Sequence, residues 1–383
     1  MRIAFYAPLK SPTHGTPSGD RRVAGLLMDA LGRAGHRVEL ASTFRSFDAD
    51  GDAPRQRALR EQGCALGRRL AEQWRGARLE ARPDLWFTYH AYYKAPDWLG
   101  PQASAALGIP YVIAEASHAA KRAGGPWDVG YRGTMEAIGR ADLLLCPTRD
   151  DVEGLRALAA SPARIVALPP FLDAAPFRAA AERREACRAQ LARTHALDTS
   201  VPWLAVAAMM RPGDKHASYG ELAAALGHVR DLPWRLLVAG EGSARAEVEA
   251  ALGAAVPGRV TFLGGLPLNK VAEFYAAAEL CVWPAVNEAY GMAMLEAQAA
   301  GVPVVSCATR GVPDVVEHGR TGLLAPAGDA RAMAVLVREL LLDEAKRKRM
   351  SAAAVAFAAG ERSIDSTAAH LGRLLARFTA TPA

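Results

Sequence analysis

The chain has 383 residues, is 51% hydrophobic and carries 46 Lys and Arg against 40 Asp and Glu, a formal charge of +6. That length suits two domains, each with a sizeable core, and apolar runs such as VPWLAVAAMM fall short of the roughly 18 residues of a membrane-spanning helix. MRIAFYAPLK has no signal-peptide pattern and the five cysteines (64, 146, 187, 281, 307) no Cys-x-x-Cys spacing, which argues against a disulfide framework or a zinc site and for a cytoplasmic protein with reduced core thiols.

RIAFYA (2–7) predicts an opening strand. Val23, Leu26, Leu27, Ala30 and Leu31 then recur at helical spacing, Gly35 stops that helix and HRVEL begins a second strand, making a βαβ unit. Between Pro54 and Arg82 stand eight arginines against three glutamates, nearly the whole charge excess. A helix there puts Leu59, Leu66, Leu70 and Trp74 on one apolar stripe. Its arginines read either as a solvated face or as a patch that docks on anionic lipid headgroups or an acidic acceptor. Nucleic acid is disfavoured, because no aromatic-interleaved basic motif accompanies them.

DLWFTYH (84–90), PYVIAE (110–115), DLLLCP (142–147) and RIVALP (164–169) are further strands, spaced widely enough for crossover helices. They imply a parallel sheet covered on both faces, in a first domain over 1–172. LPPFLDAAPF, with three prolines in ten residues, reads as a hinge. PWLAVAAM, WRLLVAG, RVTFLG, ELCVWP and PVVS then alternate with helical stretches in a second domain over 173–359, and a last helix falls in about 360–383. The expected fold class is α/β, two doubly wound Rossmann-like domains facing a central cleft, with ligands at the carboxyl ends of the strands.

The stretch NEAYGMAMLEAQAAGVPVVS (287–306) sets Glu288 in a loop and Glu296 on the following helix. Tyr290, Gly291 and Met292 form the turn between them, and the helix start with its free N–H groups favours a phosphate. Glu296, about 7 Å along the helix at 1.5 Å per residue, is placed to accept from both hydroxyls of a ribose. Glu288 would meet a sugar at the other end of the diphosphate. A lone pair of glutamates at this spacing is more often solvated or capping.

Followed by GVPDVVEHGRTGLLAP (311–326), the stretch resembles the signature of the retaining glycosyltransferases of family 4, which have the GT-B fold. The resemblance implies that Glu288 holds the donor sugar, Glu296 the ribose and Gly291 the phosphate. In AMMRPGDKHASYGELAAAL it puts Arg211 and Lys215 on the donor diphosphate, although the spacing is one residue short of the usual pattern. Two fixed cations suit a departing diphosphate. Gly240 and Glu241 in VAGEGSA match its Gly-acid-Gly turn near the nucleotide. Gly15, Ser18 and Gly19 in THGTPSGDRR fall where it has a glycine loop approaching the phosphates. A histidine just past the fourth strand is usual, which brings in His118, with Glu115 and His90 as alternatives for the acceptor side. The family also implies that the last helix crosses back to the first domain.

The implied function is sugar transfer from a UDP-, GDP- or ADP-linked donor to a glycan, lipid-linked or small-molecule acceptor, with retention, with no cofactor and with no metal. Two alternatives remain, a nucleotide-sugar epimerase and a non-catalytic nucleotide-sugar-binding protein. Tyr89, His90, Tyr92, Tyr93 and Trp98 crowd the mouth of the third strand, either to stack on an acceptor or simply to be buried. Ser218 with Glu221 reads as a capping box opening a helix. FDADGD (47–52) is a turn, since its glycine and its missing bidentate Glu do not fit a calcium loop. Gly15 to Gly19 with Glu39 imitates a dinucleotide fingerprint without its glycine spacing.

Overall fold

Short apolar runs alternating with amphipathic stretches must be covered on both faces, and they fold accordingly. The computed structural model describes residues 1–16, 18–156, 158, 161 and 164–379. It divides the chain into two compact units, Met1–Pro169 with Ile364–Ala383, and Pro170–Ser363.

Unit 1 runs β1 (Arg2–Tyr6), α1 (Gly19–Arg33), β2 (Arg37–Ser42), α2 (Ala53–Gly76), β3 (Leu85–Ala91), α3 (Gly100–Leu107), β4 (Tyr111–Ala116), α4 (Asp128–Arg140), β5 (Leu143–Cys146), α5 (Arg149–Arg156) and β6 (Ile165–Ala167). Unit 2 holds α6 (Ala175–Ala181), α7 (Arg184–His195), β7 (Trp203–Ala207), α8 (Asp214–Gly227), β8 (Arg235–Ala239), α9 (Arg245–Ala255), β9 (Val260–Gly264), α10 (Leu268–Ala276), β10 (Leu280–Trp283), α11 (Met292–Ala299), β11 (Val304–Ala308), β12 (Gly322–Pro326), α12 (Ala330–Leu342) and α13 (Glu344–Ala359). The last helix, α14 (Ile364–Leu375), belongs to unit 1, where it packs on α1 and pairs Asp365 with Arg33 at 2.8 Å. Residues 380–383 of the helix predicted over 360–383 lie outside the described residues.

Each sheet has six parallel strands, ordered β2-β1-β3-β4-β5-β6 and β12-β11-β10-β7-β8-β9. The chain reverses its direction of travel across the first sheet between β1 and β3, and across the second between β7 and β10. Crevices open at the carboxyl ends of the strands at such switch points, so each order says where its unit takes a ligand. Central strands such as β3 and β5 are apolar on both faces, as coverage by helices demands. Four of the five cysteines are buried and none is disulfide-bonded. Burial pushes the Cys146 and Cys281 thiols up to about 12, which keeps them protonated.

Three expectations are corrected, and one strand goes unannounced in the sequence. The capping box at Ser218 does not exist, because α8 begins four residues earlier, where Gly213 at φ +85° turns the chain into the helix. Ser218 lies buried inside α8, donating to the Asp214 carbonyl (2.8 Å) and accepting from the Val286 N–H (3.0 Å). The unannounced strand is β12, whose five residues ending in proline carry too little periodicity to declare themselves. RIVALP yields a strand of three residues rather than six.

On α2 the leucine stripe is only half-buried, and the fully covered positions are Gln56, Gly63, Gly67 and Ala71. A Cβ on Gly63 would sit 2.5 Å from Trp98 Cβ, and one on Gly67 2.7 Å from the Leu99 carbonyl, so the helix meets α3 across a face with almost no side chain. The arginines of α2 occupy the remaining surface. Arg55, Arg57, Arg60, Arg68 and Arg69 are exposed, and none has a carboxylate partner among the described residues. FDADGD is a turn, in which buried Asp48 accepts from the Gly51 N–H (2.9 Å), the Asp52 N–H (3.1 Å) and Gln56 Nε2 (2.9 Å). Among the described residues, no helix is long and apolar enough to cross a membrane.

Candidate functional site

At the switch point of unit 2, the loop after β7 is fixed from behind. Met210 is buried, its N–H donates to the Glu241 carbonyl (2.9 Å) and its own carbonyl accepts from Ala244 (3.0 Å). Gly240, at φ +150°, comes so close to this loop that a Cβ would lie 1.9 Å from the Ala208 carbonyl oxygen. The Gly240–Glu241 turn therefore acts as a brace, and the Glu241 carboxylate lies beside Gly264 and Gly265. In front of the brace Arg211 is exposed, with no side-chain partner among the described residues.

Lys215, on the first turn of α8, reaches the loop after β10 and donates to Glu288 Oε2. Trp283 Nε1 donates to the same oxygen at 3.4 Å, and Lys215 Nζ stands 5.5 Å from the Trp283 ring centre. Both charged groups remain solvent-accessible, Lys215 at 26% and Glu288 at 18%. An open pocket of about 430 Å³ is lined by Arg211, Asp214, Lys215, Ser243, Asn287 and Glu288.

The loop after β10 is strained. Ala285 (φ +61°) and Asn287 (φ +51°) are left-handed, at a cost of order 1 kcal/mol each. Gly291 is needed for its φ of +83°, and a Cβ there would also displace the flexible end of Met294. Asn287 Nδ2 donates to Asp214 Oδ2 (2.8 Å), and Arg310, itself left-handed at φ +42°, donates to Asn287 Oδ1 (3.0 Å). Beyond Gly291, α11 carries Glu296, which is only 6% exposed, while Tyr290 and Met292 pack half-buried against the core.

Unit 2 thus brings Arg211, Lys215 and Glu288 together around one pocket, while Glu296 lies buried on α11 and does not line it. Asp214, Trp283, Asn287 and Arg310 were not picked out from the sequence. Asn287 is the one with a legible signal, since asparagine beside a loop glutamate tolerates the left-handed region.

Unit 1 holds the remaining candidates. Gly15 and Ser18 lie in the β1–α1 connection and Gly19 opens α1, which the Ser18 hydroxyl caps by accepting from the Arg21 N–H (3.2 Å). His118 follows β4, with its ring 6.2 Å from that of Tyr131. Of the aromatic residues at the mouth of β3, Tyr89 and Trp98 are buried, while Tyr92 and Tyr93 are half-covered.

The charged cluster of this unit centres on His90. Its Nδ1 lies 2.8 Å from Asp20 Oδ1 and its Nε2 3.8 Å from Glu115 Oε1. His90 (φ +58°) and Glu115 (φ +61°) are neighbours across β3 and β4, and both are left-handed. Burial alone would lower the His90 pKa, but the Glu115 charge and the bond and charge of Asp20 outweigh it and hold the pKa at about 9.

A folded pKa raised from 6.5 stabilises fully below pH 6.5, and the gain disappears as pH rises through about 9. Its ceiling is about 3 kcal/mol at 1.36 kcal/mol per unit. The stability of unit 1 against thermal unfolding should therefore fall between pH 6.5 and 9 in the wild type and much less in His90→Gln. Parallel pH profiles for the two proteins would remove His90 as the cause.

Two family models match the chain, "Glycosyl transferase 4-like domain" over residues 18–170 and "Glycosyl transferases group 1" over residues 203–343. A curated relative, D-inositol 3-phosphate glycosyltransferase of Streptomyces avermitilis, is 28% identical over 320 residues, covering 78% of this chain and 66% of the relative. Matches to the first such relatives span between about half and two thirds of their lengths.

Sucrose-phosphate synthase from Thermosynechococcus elongatus superposes with a TM-score of 0.71 at 21% identity, covering 99% of both chains. Anabaena Alr3699/HepE, in complex with UDP-glucose, gives 0.71 at 16% identity over 98% of this chain and 100% of the other. These likenesses give the fold, GT-B. With one model of the family on each unit, in the expected order, the chain belongs to the glycosyl transferases of group 1.

Proposed function

We propose that the chain is a glycosyltransferase that takes a UDP-, GDP- or ADP-linked sugar through unit 2 and passes the sugar to a glycan, lipid-linked or small-molecule acceptor held by unit 1, with retention at the anomeric carbon. The observation that carries this is the meeting of unpaired Arg211 with the Lys215–Glu288 pair at the switch point of the second sheet. Arg211 offers a full charge to a diphosphate, and Lys215 adds a second when it turns from Glu288 toward the same phosphates. These cations neutralise the departing diphosphate in the role a divalent metal plays elsewhere, so transfer needs no metal. Glu288 is then left facing the sugar as positive charge develops on it. The named activity of the curated relatives and the UDP-glucose bound to HepE support a nucleotide-sugar donor.

The exposed arginines of α2 are the surface proposed to meet an anionic membrane when the acceptor is lipid-linked. One assay tests the whole reading. Donors found by thermal shift among UDP, GDP and ADP sugars are radiolabelled in the sugar and offered with acceptors, free or in anionic vesicles, with and without chelator. Label should move to an acceptor at a rate the chelator leaves unchanged, the product should keep the donor's anomeric configuration, and vesicle-borne transfer should fall as salt rises. An altered free donor without transfer would indicate an epimerase, and binding without turnover a sensor.

A further inference from the structure

The loops that follow β7, β10 and β11 stand in a row at the carboxyl edge of the second sheet, because β10 lies between the other two strands. Each outer loop presents an arginine and the middle one a carboxylate, in the order Arg211, Glu288, Arg310. Neither arginine has a carboxylate partner among the described residues, and both are exposed.

Arg310 differs from an ordinary surface arginine in how it is held. Its backbone is left-handed at φ +42°, a conformation that glycine would adopt at no cost and arginine does not. The neighbouring Gly311 N–H donates to the Ala289 carbonyl (3.0 Å), which ties this loop to the one carrying Glu288. The guanidinium donates one bond to the neutral amide of Asn287, a residue that lines the pocket, and the far side of that amide is anchored on Asp214. Asp214 is thus reached only through Asn287. The result is a positioned cation whose remaining donors are open and whose charge no contacting carboxylate cancels among the described residues.

We infer that Arg310 selects a donor whose sugar bears a carboxylate, a nucleotide-linked uronic acid. The inference rests on the proposed donor site. With the diphosphate on Arg211 and Lys215 and the sugar at Glu288, the group beyond Glu288 is the far edge of the sugar, and Arg310 is the cation there. A neutral hexose would leave that guanidinium facing hydroxyls alone. A carboxylate would give it the bidentate, charge-assisted partner that its planar fork fits.

The test is calorimetric titration of the purified full chain with matched pairs, UDP-glucose against UDP-glucuronate and GDP-mannose against GDP-mannuronate, with UDP and GDP alone as references. The wild type should bind the uronate of its preferred base roughly tenfold or more tighter than the hexose, the range of a hydrogen bond to a charged group. In Arg310→Gly the preference should vanish while free nucleotide binds as before. Arg310→Lys, which keeps the charge without the fork, should fall between. Because glycine suits the left-handed backbone, the melting temperature of Arg310→Gly should not drop, so a lost preference cannot be put down to unfolding. A wild type that binds the hexose as tightly as the uronate, or an Arg310→Gly protein that keeps the preference, overturns the inference and leaves the transferase reading intact. Failure of the wild type to bind any of these ligands, and equally ADP, ADP-glucose and ADP-glucuronate titrated alongside them, overturns both.

Discussion

Steady-state kinetics of Glu288→Gln are expected to show kcat lowered by roughly a hundredfold or more, about 2.7 kcal/mol, with donor affinity retained. Two features of the site lead to this. Glu288 is the carboxylate of the β10 loop that stays open to the pocket, so its charge is available to a sugar that becomes cationic as its bond to the diphosphate breaks. Its partner is Lys215, and the neutral amide releases that cation to the phosphates, so ground-state binding should hold or tighten while the transition state loses its counter-charge. Glu296→Gln should behave in the opposite way. Placed on α11 beside the proposed ribose, Glu296 contributes equally to substrate and transition state, and its loss should raise the donor KM with little change in kcat. Calorimetric donor affinity and melting temperatures for both variants complete the measurement. A near-normal kcat for Glu288→Gln together with an inactive Glu296→Gln would reverse the assignment.

The largest effect on stability is expected at Asp97. This carboxylate is buried in unit 1 and accepts four hydrogen bonds, from Thr88 Oγ1 (2.5 Å), Tyr111 Oη (2.8 Å) and the backbone N–H groups of Leu99 (2.9 Å) and Gly100 (2.8 Å). Thr88 in turn accepts from Trp86 Nε1 at 2.9 Å. One side chain therefore joins β3, β4 and the start of α3. Burial raises its pKa, and the four donors pull the other way. Asp97→Ala strands all four donors in a dry interior and should destabilise unit 1 by about 3–5 kcal/mol, since each buried donor left unsatisfied costs about 1–3 kcal/mol and some find other partners. Asp97→Asn keeps an acceptor for the backbone pair and should lose less. Two units need not unfold together, so the readout is hydrogen exchange followed separately on peptides from β3 and β7. Unchanged protection of β3 in Asp97→Ala would show that the network contributes little.

Strands and their parallel arrangement were legible in the sequence wherever an apolar run was long enough to need covering on both faces, as in DLWFTYH and WRLLVAG. The candidate cations and Glu288 were legible for a different reason, since each lies within a few residues of a strand end in a recognisable stretch. What escaped depends on neighbours distant in sequence. Ser218 looks like a cap until Val286, from another loop, is seen to use its hydroxyl. Arg310 and Asn287 are 23 residues apart and meet only because β11 lies beside β10. His90, Asp20 and Glu115 converge from three separate elements, and the left-handed turns that aim two of them leave no trace in composition. Gly63 and Gly67 mark the buried face of α2 by having no side chain, the reverse of the signal that periodicity looks for.

The division of the chain has a temporal consequence. Unit 2 is one continuous segment whose two ends meet, with the Leu172 N–H bonded to the Arg362 carbonyl at 3.0 Å, so all its parts exist once residue 363 has been made. Unit 1 is interrupted by that whole segment and lacks α14 until residues 364–375 have been made, after all of unit 2. At about 5–20 residues per second the ribosome takes roughly 10–40 s to pass from Pro170 to Ser363. During that interval the first sheet waits with the α1 surface that α14 covers still bare. Unit 2, the internal segment, therefore has all its parts before unit 1 does although unit 1 begins first, which makes unit 1 the part of the nascent chain that chaperones have longer to hold.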